Sequence, residues 1–160
     1  LDVIAVAIGF VLRAVAGAVV IKVEISSWLF ICTLLLALFL ALGKRRQELL
    51  SLKETAARHR PILQKYSPAL LDQMIAVVTA STVTAYALYT MSTETVSRFH
   101  TRLLLATIPF VLYGVFRYLY LLYRLDLEGN PSELFLTDRP LLLNCFLWGL
   151  TVVFILYVLR

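Results

Sequence analysis

The chain has 160 residues, of which 61% are hydrophobic and 16% are charged, and its formal net charge is +5. Soluble domains contain roughly 45–50% apolar and about 25% charged residues, so this composition excludes an ordinary soluble globule and indicates an integral membrane protein. The sequence opens at Leu1 with no signal-peptide pattern, which we interpret as a fragment or a processed chain. Both cysteines, Cys32 and Cys145, lie in apolar stretches, so a disulfide framework is not expected.

Apolar residues fall into blocks of the length that an α-helix needs to cross a hydrocarbon layer of about 30 Å. The blocks are continuously apolar and lack the period-two alternation of barrel strands, which favours helices. We therefore predict a single membrane domain with an all-α fold, a polytopic transmembrane helix bundle. Its five spans are expected near residues 3–21, 28–42, 70–91, 103–123 and 141–159.

Positive charge is distributed unevenly between the two sides of this bundle. Nine basic residues lie on the side of the 43–69 loop, against four on the other side: Lys44, Arg45, Arg46, Lys53, Arg58, Arg60, Lys65, Arg124 and Arg139, against Lys22, Arg98, Arg102 and Arg160. The positive-inside rule then predicts that loop 43–69 is cytoplasmic and that the C-terminus lies outside. Clustering of this kind indicates that the basic residues set the membrane topology or bind anionic lipid headgroups. Nucleic acid is not expected as a partner.

The two cytoplasmic loops differ in composition. Loop 43–69 has helix-forming residues before Pro61 and an i,i+4 pair of Lys44 and Glu48, so it either continues the second helix or lies as an anchor on anionic lipid. The other loop contains the turn signal Glu128 to Pro131 and four acids without a metal-binding pattern, which we interpret as solvated. These acids are Asp126, Glu128, Glu133 and Asp138.

Several polar residues fall inside the predicted spans, where an ionisable group usually faces a bundle interior or a wet cavity. Arg13 lies mid-span on a ridge with Gly9 and Gly17, where a helix or an anion could approach closely. Arg117 is close enough to the cytoplasmic boundary to snorkel. A polar stripe in the third span either bonds neighbouring helices or forms a substrate-facing wall; it comprises Thr79, Thr82 and Tyr86.

Cations of the cytoplasmic side could converge on a phosphate, because guanidinium groups bind its oxygens in pairs. Candidates are Arg13, Lys44, Arg45, Arg46, Arg58, Arg60 and Arg117. The sequence contains no GxxxxGK[ST], HExxH or GxSxG motif and no aspartate pair at DxxxD spacing. Neither a P-loop nor a self-contained carboxylate metal site is therefore predicted.

Several segments together resemble the decaprenyl-phosphate phosphoribosyltransferase branch of the UbiA prenyltransferase superfamily. The resemblance runs along nearly all of the chain and is carried by LDVIAVAIGFVLRAVAGA at 1–18, SSW at 26–28, GKRRQEL at 43–49, RPILQKYSPALLD at 60–72, YALYT at 86–90 and TDRPLLL at 137–143. It implies the last five helices of a nine-helix enzyme that transfers 5-phosphoribose from phosphoribosyl diphosphate to a polyprenyl phosphate. That enzyme would release diphosphate, use Mg²⁺ and reside in the bacterial plasma membrane.

The resemblance also implies site residues. Lys44, Arg45 and Glu48 occupy the place of the superfamily's second aspartate-rich motif and are the expected catalytic residues, with Glu48 orienting Lys44 or touching a ribose hydroxyl or a metal. The expected phosphate-binding residues are Arg13, Arg46, Arg58, Arg60, Lys65, Tyr66 and Arg117. The main magnesium ligands would lie outside this chain. Membrane lipids are expected partners, and a homo-oligomer or a larger complex is left open, as is a non-catalytic structural or lipid-contacting subunit.

Overall fold

The computed structural model describes residues 2–20, 26–52, 67–124 and 136–158. These residues form helices and short connections without strands, and five of the helical segments are long and apolar enough to cross a membrane. The predicted all-α membrane bundle is thus confirmed. The helices are α1 (Asp2–Val20), α2 (Ser27–Leu52), α3 (Pro68–Met91), the short α4 (Thr93–Phe99), a 3₁₀ turn (Leu103–Thr107), α5 (Ile108–Arg124) and α6 (Arg139–Tyr157).

Side-chain caps set the starts of α3 and α6. The Ser67 hydroxyl accepts a hydrogen bond from the Leu70 N–H at 3.1 Å, and an Asp138 carboxylate oxygen accepts one from the Leu141 N–H at 3.0 Å. A proline occupies one of the first two helical positions in each case, where its missing N–H costs nothing. Local sequence therefore defines both helix starts.

The fourth predicted span begins as a 3₁₀ turn and continues as α5. Pro109 explains the change of geometry, because it has no N–H to donate to the carbonyl of residue 105 and so interrupts a regular α-helical ladder. The Leu105 N–H instead bonds to the Arg102 carbonyl at 3.2 Å. His100, with φ of 54°, supplies the left-handed residue that ends α4 before this turn.

The core lies where α2, α3 and α5 meet. Phe39, Leu42, Leu71, Tyr118 and Leu122 are fully or almost fully buried there, and the rings of Phe39 and Tyr118 lie 5.0 Å apart. The outer helix α1 joins this core through a stripe of one residue per turn, at Val3, Ala7 and Val11. Most other side chains of α1 are exposed, so α1 packs on its neighbours through one narrow face.

One end of the bundle collects the charged residues of four helices. We call it the basic end and define it by Lys44 to Glu48 of α2, Asp72 of α3, Arg117 to Arg124 of α5, and Asp138 and Arg139 at the start of α6. Ion pairs between α2 and α3 and between α5 and the start of α6 place these residues at the same end. Those basic residues of the predicted cytoplasmic side that the structure describes therefore lie at the same end of the bundle.

Helix α2 continues to Leu52, whereas the prediction ended the second span at residue 42 and began a loop at residue 43. At 26 residues α2 measures about 39 Å, longer than a hydrocarbon layer of about 30 Å, so its last turns reach the headgroup region. Packing explains the extension, because Gly43 and Arg46 are buried against α5 and α3. Of the alternatives for this loop, residues 43–52 form the helical continuation; residues 53–66 lie outside the described residues.

Gly43 allows α2 to approach α5 closely. A Cβ atom at this position would lie 2.8 Å from the Tyr118 hydroxyl, a buried atom that cannot move away easily. We expect Gly43→Ala to lower the free energy of unfolding by about 1–3 kcal/mol, the usual cost of overpacking. Thermal denaturation of the detergent-solubilised protein, followed by circular dichroism, measures the effect.

Two further variants make this test specific. Adding Tyr118→Phe to Gly43→Ala removes the clashing oxygen and should restore most of the lost stability, since the next contacts are at 3.5 and 3.6 Å. Gly149→Ala should leave stability unchanged or slightly raised, because the added Cβ would meet no other described part of the chain within 4 Å. A Gly43→Ala protein as stable as the Gly149→Ala protein would contradict the close approach.

Candidate functional site

The last turns of α2 carry the three residues expected to be catalytic. Lys44 is exposed and forms no ion pair or hydrogen bond with the residues that the structure describes. Arg45 donates from Nη1 to Glu48 Oε2 at 2.6 Å, and both side chains are partly exposed. Glu48 therefore pairs with Arg45, an i,i+3 neighbour on the same helix face, and not with Lys44, one of the groups that the resemblance implied for it.

Arg46 lies on the opposite side of α2, where its side chain is only 8% exposed. Its Nε donates to Asp72 Oδ1 at 2.7 Å, and Nη1 donates to the Leu122 carbonyl at 3.4 Å. The guanidinium also lies over the Tyr123 ring at 4.1 Å, and the Tyr123 hydroxyl donates to the same Asp72 oxygen at 2.9 Å. A side chain expected to bind phosphate is thus held by α3 and α5.

Arg117 is held in a similar way. Its Nε and Nη2 donate to the two carboxylate oxygens of Asp138 at 3.0 and 2.8 Å, and its guanidinium lies 5.3 Å from the Tyr120 ring centre. Bidentate pairs of this geometry are among the stronger charge-assisted contacts. The interpretation of Asp138 as a solvated loop acid is wrong, because Asp138 caps α6 and pairs with α5; the other three acids of that loop lie outside the described residues.

Arg13 lies apart from this cluster. Its side chain is exposed, its guanidinium is 5.9 Å from the Phe10 ring, and a Cβ added at Gly9 or Gly17 on the same ridge would meet no other described part of the chain within 4 Å. The turns of α1 around Arg13 pack beside Leu29 to Thr33 of α2, which places Arg13 about 15 Å along the helix axis from Lys44. The described residues therefore do not join Arg13 and Lys44 in one site.

The remaining predicted phosphate-binding residues are Arg58, Arg60, Lys65 and Tyr66. They lie outside the described residues. The site drawn from the described part of the chain thus consists of an exposed Lys44, the Arg45 and Glu48 pair beside it, and two arginine pairs that hold the helix ends.

The described residues do not offer a complete magnesium site. No group of three histidine, cysteine or acidic side chains among them could hold a metal ion. The carboxylates at the basic end that the structure describes, Glu48, Asp72 and Asp138, each pair with an arginine. These described carboxylates therefore do not by themselves form a magnesium site, and the Mg²⁺ that the resemblance implies stays a prediction whose main ligands would lie outside this chain.

A cavity of about 340 Å³ lies toward the opposite end of the bundle, between α2, α3, α5 and α6. Tyr86 lies in its wall, where its hydroxyl hydrogen-bonds Thr107 at 2.7 Å and accepts from Trp148 Nε1 at 3.1 Å. Thr82 donates to the carbonyl of Val78 within α3. The polar stripe of α3 thus bonds neighbouring helices through Tyr86 while also lining a largely apolar space.

The partners of the arginines were not identifiable from the sequence. Asp72 is 26 positions from Arg46, and Asp138 is 21 positions from Arg117, so neither pair shows the i,i+3 or i,i+4 spacing of a helix. Tyr123 lies near the end of a predicted span, where aromatic residues are common, so its position alone does not indicate a partner. The one available signal was the placement of an acid at the first turn of a span, at Asp72, and just before one, at Asp138.

Curated relatives cover nearly the whole chain. Decaprenyl-phosphate phosphoribosyltransferase of Corynebacterium glutamicum is 29% identical over 99% of this chain and 48% of its own length. The enzymes of the same name from Mycolicibacterium smegmatis and Mycobacterium tuberculosis are each 28% identical, over 92% and 89% of the chain. The resemblance seen in the sequence is confirmed.

The chain spans about half the length of these decaprenyl-phosphate phosphoribosyltransferases. This coverage is consistent with the C-terminal portion of a UbiA-type enzyme. No family-wide sequence profile matches the chain.

The Arg117 and Asp138 pair makes stability depend on pH. Hydrogen bonds from Arg117, and a further one from the Leu141 N–H, hold the pKa of Asp138 below its usual value, against the opposing effect of burial. A lowered pKa in the folded state means that the pair stabilises the fold above the unfolded-state pKa of about 4 and is lost as the pH falls below it.

We therefore expect the wild-type protein to lose more stability between about pH 5 and pH 3 than the Asp138→Asn variant does. Thermal denaturation across this pH range measures the difference. The asparagine of the variant still has a side-chain oxygen that can accept from the Leu141 N–H. The difference between the two pH profiles therefore isolates the titration of Asp138, since all other carboxylates are common to both proteins. Parallel pH profiles for the two proteins would contradict a lowered pKa at Asp138.

Proposed function

We propose that this chain is part of a membrane transferase that moves 5-phosphoribose from phosphoribosyl diphosphate to a polyprenyl phosphate. In this reaction the bond between C1 of the ribose and the diphosphate oxygen breaks, and the diphosphate leaves with the electron pair. A phosphate oxygen of the polyprenyl phosphate then bonds to C1. The observation that carries the proposal is the similarity along nearly the whole chain to enzymes named decaprenyl-phosphate phosphoribosyltransferase.

The basic end supports the proposal chemically. Both substrates carry phosphate groups, and negative charge grows on the diphosphate as it leaves, so cations held in place at that point lower the barrier. Lys44 carries an exposed ammonium group at the basic end. The Arg45 guanidinium beside it is oriented by its ion pair with Glu48. In this proposal Lys44 and Arg45 bind phosphate oxygens and Glu48 positions Arg45.

The membrane spans support a lipid-linked acceptor. A polyprenyl chain dissolves in the hydrocarbon layer and carries its phosphate at the headgroup boundary, the depth that the last turns of α2 reach. We place the basic end at the cytoplasmic face of the bacterial plasma membrane, because short loops on the cytoplasmic side of a membrane protein carry an excess of Lys and Arg. Among the described residues no group of three histidine, cysteine or acidic side chains could hold a metal, so Mg²⁺ would need ligands from outside them.

A non-catalytic structural or lipid-contacting subunit is the alternative function. The curated relatives carry an enzyme's name, and no contact among the described residues specifically favours a structural partner. The transferase is therefore the better-supported proposal.

Removal of the exposed cation tests the proposed chemistry. We expect Lys44→Ala in the complete protein to lower kcat/KM for phosphoribosyl diphosphate by about 10²-fold, since a single charge-stabilising donor contributes on that scale. Arg45→Ala should cause a loss of similar size. The measurement is transfer of radiolabelled phosphoribose to a polyprenyl phosphate in detergent, with thermal stability recorded for each variant.

Arg139→Ala is the matched control, because Arg139 is an exposed cation at the same end that has no role in the proposed site. We expect it to retain nearly all transfer activity. Equal losses for Lys44→Ala and Arg139→Ala would show a general effect of surface charge. Full activity in Lys44→Ala and Arg45→Ala would remove both residues from the mechanism.

Arg13 needs a separate test because it lies apart from Lys44. If it binds a phosphate in the complete protein, Arg13→Leu should lower transfer while the protein stays as stable or becomes more stable. We expect no loss of stability, because an arginine in the middle of a span raises the free energy of membrane insertion by roughly 2.5 kcal/mol or more and leucine does not. Arg13→Lys, which keeps the charge, should retain part of the activity. Normal transfer by Arg13→Leu would leave Arg13 a role in helix packing.

A further inference from the structure

The contacts of Arg46 differ from those of a substrate-binding cation. Its guanidinium is surrounded by groups of two other helices: the Asp72 carboxylate at 2.7 Å, the Leu122 carbonyl at 3.4 Å and the Tyr123 ring at 4.1 Å. Arg46 as a whole is 7% exposed. These contacts leave little of the group accessible to a phosphate.

Asp72 and Tyr123 reinforce each other in this arrangement. The Tyr123 hydroxyl donates to the oxygen of Asp72 that also accepts from Arg46, at 2.9 Å. The carboxylate therefore receives two donors from two helices, and the tyrosine contributes both a ring face and a hydroxyl. We call this set of three side chains, Arg46, Asp72 and Tyr123, the Arg46 clasp.

The Arg46 clasp acts on the part of α2 that carries the proposed site. Arg46 directly follows Lys44 and Arg45, and it lies one turn beyond Gly43, whose close approach to Tyr118 fixes the same face of α2. Successive residues of a helix are rotated by about 100°, so anchoring this face determines the directions of Lys44 and Arg45. A helix end held at only one point could still rotate or tilt.

We propose that Arg46 is a positioning residue that fixes the last turns of α2 and thereby sets the orientation of Lys44 and Arg45. This inference deepens the proposed transferase function and rests on it. It replaces the expectation that Arg46 itself binds phosphate. Arginine is required here because lysine lacks both the planar face that stacks on Tyr123 and the Nε donor that reaches Asp72.

The first test measures helix position without substrate. Amide hydrogen exchange of the complete protein in detergent should accelerate at residues 43–52 in Arg46→Lys, with residues 29–42 of the same helix unchanged. Tyr123→Phe keeps the ring and removes one hydrogen bond, so it should cause a smaller acceleration and remain folded. Unchanged exchange at residues 43–52 in both variants would overturn the proposal.

The second test separates positioning from direct binding. A positioning residue acts through Lys44 and Arg45, so Arg46→Lys should lower kcat/KM by about tenfold in the wild-type background. The same change should add less than about twofold when Lys44 and Arg45 are already alanine. A tenfold loss of kcat/KM from Arg46→Lys in the alanine background as well would show that Arg46 contributes independently of Lys44 and Arg45. That result would overturn the proposal.

Arg117→Lys is the matched control, because Arg117 has the same type of partners, an aspartate and a tyrosine ring, but lies on α5. Arg117→Lys should lower kcat/KM by the same factor whether Lys44 and Arg45 are present or replaced by alanine. It should leave hydrogen exchange at residues 43–52 unchanged. Acceleration there equal to that in Arg46→Lys would overturn the specific role of Arg46. If the wild-type protein transfers no phosphoribose, the proposed function fails, while the exchange experiment still decides whether Arg46 fixes α2.

Discussion

Burial of a guanidinium beside a hydrocarbon layer is the constraint on which the basic end depends. An arginine at this depth needs an anion and further hydrogen-bond acceptors, since an unpaired buried charge is strongly destabilising. Arg46 meets this need by bringing together α2, α3 and α5, and the partly exposed Arg117 joins α5 to the start of α6 through Asp138. Charge satisfaction thus determines how these helix ends are arranged, in addition to apolar packing.

The same pairing determines which positive charges remain accessible at the basic end. Asp72 and Asp138 offset the charges of Arg46 and Arg117, and Glu48 offsets that of Arg45. Lys44 keeps an exposed charge beside these pairs, and Arg124 and Arg139 are also exposed at this end. A cation-rich segment therefore becomes a structured surface in which paired arginines support the helix ends and an exposed lysine can meet an anionic ligand.

Toward the opposite end of the bundle, three uncharged polar side chains link the helices. Hydroxyl and indole groups of Tyr86, Thr107 and Trp148 bond to one another, so the helices are linked without a charge. This arrangement suits a region with little water, because the Tyr86, Thr107 and Trp148 donors each have an acceptor inside the protein. It also leaves the adjacent 340 Å³ cavity with a predominantly apolar lining, in contrast to the charged surface at the basic end.

The sequence by itself determined the membrane class, the presence of five apolar helices long enough to span a membrane, the basic cluster and the resemblance that its relatives confirm. It could do so because the thickness of the hydrocarbon layer sets the length of each apolar block, and composition along the chain reports that length directly. Lys44, Arg45 and Glu48 are site residues that the family resemblance implies, and their chemical roles remain predictions.

Only the tertiary structure decided which arginines are paired and how far α2 extends. Arg46 and Arg117 looked equivalent to Lys44 as cations in the sequence, yet their partners lie on other helices, 26 and 21 positions away. Arg13 looked like a neighbour of the same cluster, yet it lies about 15 Å along the helix axis from Lys44. The physical reason is that pairing depends on the rotation and depth of each helix, which are set by packing against other helices and not by spacing along the chain.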